Sequence, residues 1–191
     1  MKRAPVLRIA ALVVALASGA GCVPVIVAGA AGGAAMVAVD RRSAGAQLDD
    51  ESIELKVSTQ ALSQYGDRIH LNVTSYNGVV LLSGEVPDQG TLASVGNLAK
   101  NTEKVRVVNN EMVVGPNADL SARSNDTYIT SKVKTRMIEA NKFPPNAVKV
   151  VTERSVVYLM GIVSMEEGTA AGETAATTSG VVRVVKFFQY R

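Results

Sequence analysis

Two side chains in this sequence of 191 residues are of the types best suited to act as a nucleophile or a base near neutral pH. They are Cys22 and His70, the single cysteine and the single histidine. Cys22 follows a basic N-terminus, an apolar run from Ile9 to Ala17 and the small residues Ser18 to Gly21, an order typical of a secretory signal peptide and its cleavage site. A lone thiol cannot form an intramolecular disulfide, so the reaction open to Cys22 is attack of its thiolate on an external group.

The arrangement around Cys22 resembles the lipobox of bacterial lipoproteins, although Gly19 stands where a leucine is usual. The resemblance implies that Cys22 receives a diacylglycerol group and that the signal peptide, residues 1–21, is then removed. Val23 follows the cysteine, and lipoproteins without aspartate at that position are, as a rule, sent to the outer membrane. The alternative is a free or buried cysteine near an ordinary cleavage site.

A single membrane-spanning anchor is a second interpretation of the same region. The uncharged span from Ile9 to Val39 has 31 residues, which is long enough to cross a bilayer. Pro24 and the glycines that follow it lower the helix propensity of this span. We therefore favour a lipidated tether over residues 22–48.

The composition and the lack of clustered reactive residues argue against several classes of function. The net charge of +3 comes from three basic residues of the predicted leader, so the mature chain is neutral and we expect no nucleic-acid partner. His70 has no Ser, Cys or acidic partner at a suggestive spacing along the sequence, and no set of metal ligands or phosphate-binding loop stands out. We therefore expect the protein to have no enzymatic activity and to bind no cofactor and no metal.

The remainder of the chain contains an internal repeat. Residues 50–114 and 126–190 read as two copies, offset by 76 positions and then, after one loop insertion, by 77. The matching pairs include Asp50 and Asp126, Ile53 and Ile129, Lys56 and Lys132, Val57 and Val133, Thr59 and Thr135, Val73 and Val150, and Gly84 and Gly161. Matches over about 65 residues indicate a duplication.

Each copy predicts the same order of elements: a helix, two strands of a hairpin, a second helix and a last strand. Apolar residues at four-residue spacing predict the first helices, with Asp50 and Asp126, or a polar neighbour of each, as N-caps. The Asn77-Gly78 pair between apolar runs predicts the first hairpin. A helix that joins the hairpin to a final strand favours a right-handed crossover, so we expect a mixed sheet with helices on one face.

This order, with Gly84 and Gly161 near the ends of the hairpins and residues 180–184 turning into the last strand, resembles the BON domain. The resemblance implies an α+β fold of two tandem BON domains, each αββαβ with a three-stranded mixed sheet covered by two helices. The expected boundaries are 49–115 for the first domain, 116–124 for a linker and 125–191 for the second domain.

A lipidated chain with two such domains resembles the dual-BON outer-membrane lipoproteins, and residues 40–43 and 125–133 strengthen the match. The resemblance implies a lipid anchor on the periplasmic face of the outer membrane, support of outer-membrane integrity, enrichment at the division site and association with the β-barrel assembly machinery. It also implies that the first helix of the second domain binds anionic phospholipid, such as cardiolipin or phosphatidylglycerol.

The residues of that helix are consistent with contact at a membrane surface. Ile129, Val133, Met137 and Ala140 share one stripe that we expect to face the sheet. The residues placed off that stripe, which are the candidate phospholipid-binding residues, are Tyr128, Lys132, Thr135, Ile138 and Lys142. A tyrosine beside lysines, with an added aliphatic side chain, suits the headgroup region of a membrane.

Two alternatives remain open from the sequence. In the first, Tyr128 and Ile138 pack at a seam between the domains and never meet lipid. In the second, the protein is a non-enzymatic adaptor that binds other proteins through the alanine-rich helix from Thr169 to Thr178, where small side chains allow a close approach of the backbone. The other explanation of that helix is that it seals the two domains together.

Overall fold

The computed structural model describes residues 40–191, which belong to one compact unit. Cys22, the predicted signal peptide and the span from Ile9 to Val39 lie outside the described residues. Within residues 40–191, no helix combines the length and the apolar character that crossing a bilayer requires.

The first half of the described chain contains two α-helices and four strands. These are α1 (Ala44–Tyr65), β1 (His70–Tyr76), β2 (Val79–Val86), α2 (Gln89–Lys100), β3 (Val107–Asn110) and β4 (Val113–Val114). Strand β1 is antiparallel to β2, and both β3 and β4 run parallel to β2. The last strand of the first copy is therefore split in two, and the sheet is mixed as predicted.

The second half repeats this order without the split. Its elements are α3 (Leu120–Ala140), β5 (Val148–Glu153), β6 (Val156–Val163), α4 (Met165–Ala176) and β7 (Arg183–Tyr190). The strand order is β5-β6-β7, with β5 antiparallel and β7 parallel to β6. The predicted α+β fold of two αββαβ units is confirmed.

The first helix of each copy begins earlier than the sequence predicts. Ser43 caps α1 by accepting a hydrogen bond from the amide of Ala46, and Asp119 caps α3 by accepting one from the amide of Ala122. Residues 44–48 of the predicted tether and residues 120–124 of the predicted linker are therefore helical.

The predicted N-caps Asp50 and Asp126 are wrong, because both residues are buried inside the helices and hold the hairpin turns instead. Asp50 accepts hydrogen bonds from both amides of the turn at residues 77–78, at 2.6 and 2.9 Å. Asp126 does the same for the turn at residues 154–155, at 2.8 Å each. All four turn residues have positive φ angles between 51° and 75°, as a type I′ hairpin requires.

A close approach of the backbone explains the glycine near the end of each hairpin. A Cβ atom on Gly84 would stand 2.0 Å from the carbonyl oxygen of His70, and one on Gly161 would stand 2.2 Å from that of Ala147. No side chain fits at either distance.

The two sheets pack against each other through the faces that their own helices leave open. On β2, Val80 and Leu82 belong to the core beneath α1 and α2, whereas Leu81 belongs to a third cluster together with Tyr158 and Met160 of β6. Alternation along a strand places these two sets on opposite faces. The domains thus form four layers, helices–sheet–sheet–helices, with a shared core at the centre.

The first prediction concerns the Asp126 carboxylate. Asp126→Ala leaves two turn amides without their acceptor, and we expect the free energy of unfolding to fall by about 2 to 3 kcal/mol. Urea unfolding of a fragment beginning at residue 37 measures this change. The control, Asp119→Ala, removes only an exposed helix cap and should cost about 1 kcal/mol. Equal losses in the two variants would contradict the role assigned to Asp126.

Candidate functional site

Helix α3 is fixed to the second sheet by one stripe of side chains. Ile129, Val133 and Met137 are buried in the core of the second domain, as predicted. The prediction for Ala140 is wrong, because it is the last residue of α3 and is exposed. The chain turns away there through Asn141, whose φ of 49° is left-handed.

Tyr128 lies on the outer face of α3 and is 62% exposed. The Lys132 ammonium nitrogen stands 4.5 Å from the centre of its ring, within the range of a cation–π interaction. Lys132 also donates a hydrogen bond to the Ser179 carbonyl, so the ammonium is held over the ring. The alternative that Tyr128 is sealed at the domain seam is therefore wrong.

Ile138 is likewise not sealed between the domains, because 57% of its surface is exposed. It lines a cavity of about 290 Å³ together with Lys134 and with Asp40, the first described residue. Thr135, between the tyrosine and the isoleucine along the helix, is also exposed. The sequence analysis missed Leu120, which is 78% exposed at the start of α3, because that residue fell in the predicted linker.

Lys142 is exposed but stands apart from the Tyr128–Lys132 pair. It lies beyond the end of α3, about 20 Å along the helix direction from Tyr128 at about 1.5 Å per residue. It lines two shallow surface grooves that also contain Glu173 of α4. The structure thus brings Tyr128 and Lys132 together but places Lys142 near an opposing charge.

The segment where the predicted tether meets the fold is bound to both domains. Arg41 donates to the two carboxylate oxygens of Glu167 at 2.7 and 2.6 Å and to the Ile162 carbonyl at 2.7 Å, all in the second domain. Arg42 forms an ion pair with Asp50 at 2.7 Å and lies 4.3 Å from the ring centre of Tyr76, both in the first domain. We call residues 40–42 the clasp.

Hydrogen bonds within the clasp change the ionisation of its partners. The Arg41 guanidinium, helped by the Ser164 amide, lowers the pKa of Glu167 to about 2. Burial alone would raise the pKa of Asp50, but hydrogen bonds from Ser75 and the Gly78 amide, together with Arg42, lower it below its ordinary value. Both carboxylates are therefore charged at neutral pH.

His70 has acidic partners that the sequence analysis missed. Its Nδ1 atom lies 2.9 Å from Oε2 of Glu85 and 3.8 Å from Oε1 of Glu153. These three side chains lie close enough together that they could hold an ion, a grouping that the spacing of the residues along the sequence does not indicate. Burial raises the pKa of Glu153, although Asn72 donates a hydrogen bond to its carboxylate.

The alanine-rich helix α4 uses its small side chains inside its own domain. Ala171 and Ala175 are buried in the core beneath the second sheet. A Cβ atom on Gly168 would stand 3.1 Å from the rings of Phe188 and Tyr190 on β7. The alanine face of this helix is therefore neither an open binding surface nor a seal between the domains.

Both halves of the chain are similar to known proteins. Residues 49–116 and 125–191 match the BON domain. The chain is 36% identical over 192 residues to the outer membrane lipoprotein DolP of Haemophilus influenzae, covering 100% of this chain and 99% of that protein. It is 36% identical over 154 residues to the 21 kDa hemolysin of Actinobacillus pleuropneumoniae, covering 80% and 79% respectively. It is 29% identical over 144 residues to the osmotically-inducible protein Y of Escherichia coli, covering 73% and 71%.

The second prediction concerns the ion pair between Arg41 and Glu167. The folded pKa of Glu167, about 2, lies below its ordinary value of 4.5, so the stabilisation is fully present above about pH 4.5 and is lost as the pH falls towards 2. We expect Glu167→Gln, which preserves the capping hydrogen bond at the start of α4, to cost about 1 kcal/mol at neutral pH.

Urea unfolding of the wild type and the variant at neutral pH and at about pH 2 measures this difference. The gap between the two proteins should close at the lower pH. A gap that is the same at both pH values would show that the charge on Glu167 does not stabilise the fold.

Proposed function

This chain belongs to the BON-domain family, with two copies of the domain, and from that premise we propose that it is an outer-membrane lipoprotein whose second domain binds anionic phospholipid through the outer face of α3. The similarity to DolP, a protein named as an outer membrane lipoprotein, extends over the full chain and supports the location. The geometry of α3 supports the lipid contact.

The observation that carries the proposal is the exposed pair formed by Tyr128 and Lys132. A phenol ring with 62% of its surface in water exposes less apolar surface to water when it lies among lipid headgroups, where its hydroxyl can still form hydrogen bonds. The ammonium held 4.5 Å from that ring reaches the depth at which phosphate groups lie. Ring and charge therefore suit the same anionic headgroup layer.

The charge of α3 favours a negatively charged surface. The helix carries four basic residues, Arg123, Lys132, Lys134 and Arg136, and two acidic residues, Asp126 and Glu139. Asp126 is buried on its hairpin turn, so Glu139 is the acid that opposes them on the exposed surface. Each basic residue near an anionic membrane contributes about 1 kcal/mol, which makes cardiolipin and phosphatidylglycerol the preferred lipids.

The proposed attachment has two parts of different strength. Diacylglycerol on Cys22, with about 0.8 kcal/mol per buried CH₂, holds the protein stably on the membrane. The cavity that Ile138 helps to line also includes Asp40, so the first described residue of the chain lies close to the C-terminal part of α3. The weaker contact through α3 then selects anionic regions on the periplasmic face, including the division site, and supports outer-membrane integrity.

A second candidate function is that of a protein-binding adaptor, with the β-barrel assembly machinery as the proposed partner. It is favoured by Leu48, Leu55 and Leu62 on α1, which are 66%, 67% and 50% exposed. Their spacing of seven residues places them on one side of the helix. This stripe is on the first domain, so it leaves α3 free for lipid.

The third prediction tests the lipid contact with vesicles of phosphatidylglycerol and a fragment that begins at residue 37 and so lacks the proposed anchor. Tyr128→Ala combined with Lys132→Glu removes the ring and reverses one charge. Reversing the charge of one lysine weakens the free energy of binding to an anionic membrane by about 2 kcal/mol. We therefore expect the vesicle partition coefficient to fall about 30-fold or more. Co-sedimentation measures it.

The matched control makes the same two changes on β7, with Tyr190→Ala and Lys186→Glu, where both residues are exposed. The control should bind as the wild type does, and binding should weaken with salt and with neutral lipid. Absence of binding by the wild-type fragment would favour the adaptor. If the control loses as much vesicle binding as the α3 variant, the effect comes from net charge, and α3 is not the surface that contacts lipid.

The fourth prediction concerns Cys22. Mass spectrometry of the protein purified from membranes should show a mature chain that begins at residue 22 with a diacylglycerol-modified thiol. Cys22→Ser should leave the leader uncleaved or yield a chain without lipid. A mature wild-type chain that retains the thiol unmodified would reject lipidation.

A further inference from the structure

The geometry points to a binding site for a divalent transition-metal ion at the seam between the two domains, formed by His70, Glu85 and Glu153. His70 and Glu85 are directly paired across β1 and β2 of the first domain. Glu153 is the last residue of β5 in the second domain. One ligand atom from each of the three side chains lies within 4.8 Å of the others.

The distances suit a metal ion coordinated by nitrogen and oxygen. Nδ1 of His70 is 2.9 Å from Oε2 of Glu85 and 3.8 Å from Oε1 of Glu153. Zinc bonds to such atoms are about 2.0 to 2.2 Å long, so tetrahedral ligands stand about 3.3 Å apart. The two distances from His70 lie on either side of that value, so shifts of about half an ångström would bring each carboxylate to the spacing that a metal ion requires.

Charge balance also favours a divalent ion. The side chains of Glu85 and Glu153 are 0% and 6% exposed, and burial disfavours the charged form of a carboxylate unless a cation lies close to it. A divalent ion would place positive charge beside both carboxylates at once. Arg154 reaches Glu85 at 3.5 Å, but its side chain is 55% exposed, which leaves its charge mostly solvated.

Neighbouring groups orient the ligands as they do around known metal centres. The amide of Ala118 donates to Glu85 at 3.1 Å. Asn72 donates to Oε2 of Glu153 at 2.7 Å, which leaves Oε1 directed towards His70. Ser83 shares the β2 face of Glu85 by strand alternation, and its buried hydroxyl has no hydrogen-bond partner among residues 40–191, so it is available to a water bound to the metal.

The site is reached from solvent, and its ligand set selects among metals. A groove of about 530 Å³ is lined by His70, Asn72 and Glu153, giving ion and water a route in. An imidazole with two carboxylates suits zinc, whereas magnesium and calcium prefer oxygen ligands alone. Because the ligands come from both domains, bound zinc would link the two domains and stabilise the folded chain.

The single histidine of the sequence makes the site directly observable. In nitrogen NMR of the full chain purified in detergent, equimolar zinc chloride should move the Nδ1 resonance of His70, and magnesium should not. Calorimetry with zinc chloride should give one ion per chain. We expect His70→Gln or Glu153→Gln to weaken zinc binding about 100-fold or more.

The matched control is Glu111→Gln, which removes a carboxylate facing Arg183 of the other domain at 3.9 Å but no proposed ligand, and it should bind zinc as the wild type does. If a ligand variant fails to fold by circular dichroism, Asn72→Ala replaces it, with an expected loss of about tenfold. Zinc that leaves the His70 resonances unchanged, or that binds His70→Gln or Asn72→Ala as tightly as the wild type, overturns the proposal.

Discussion

The face-to-face packing of the two sheets determines which surfaces of this protein are free to act. Leu81 of β2 and Met160 of β6 are fully buried between the sheets, and every residue of β2 is buried. A sheet covered by helices on one face and by another sheet on the other presents only its edges to solvent. The helices therefore carry the broad outer surfaces, and α3 combines the exposed tyrosine with lysines there. The shared core also means that the BON repeats, although separate in sequence, do not act as independent domains.

Local patterns in the sequence predicted most of the fold because the interactions behind them are local. The four-residue spacing of Ile129, Val133 and Met137 fixed the inner face of α3, and therefore its outer face as well. The resemblance to the BON family, confirmed by the match over both halves, gave the order of the elements. The prediction that Asp50 and Asp126 are helix N-caps failed for a physical reason. Aspartate near a helix start satisfies the capping rule, but the same carboxylate can instead accept hydrogen bonds from the amides of a distant turn, and burial decides between the two.

The acidic partners of His70 show what sequence could and could not predict. A two-residue turn at Asn77-Gly78 fixes the register of its hairpin, and that register pairs His70 with Glu85, so this contact could have been found from the sequence. Glu153 reaches the same place only through the packing of one domain on the other. The clasp is equally remote, since Arg41 and its hydrogen-bond partner Glu167 are 126 positions apart. Contacts between residues so far apart leave no periodic pattern in the sequence, because the residues adjacent to each partner in the chain do not determine where that partner lies.

The proposed lipid surface and the proposed metal site are connected through one short turn. Asp126 of α3 accepts hydrogen bonds from the amides of Arg154 and Ser155, and Glu153 immediately precedes that turn. A metal ion bound by His70, Glu85 and Glu153 would fix the start of the turn to the first domain, and Asp126 would fix α3 to the same turn. The outer face of α3 would then keep a defined orientation relative to the first domain and to the clasp, where the chain leaves towards Cys22. Membrane contact depends on that orientation, because a tether and a helix on one molecule can engage one surface together only if they face it from the same side.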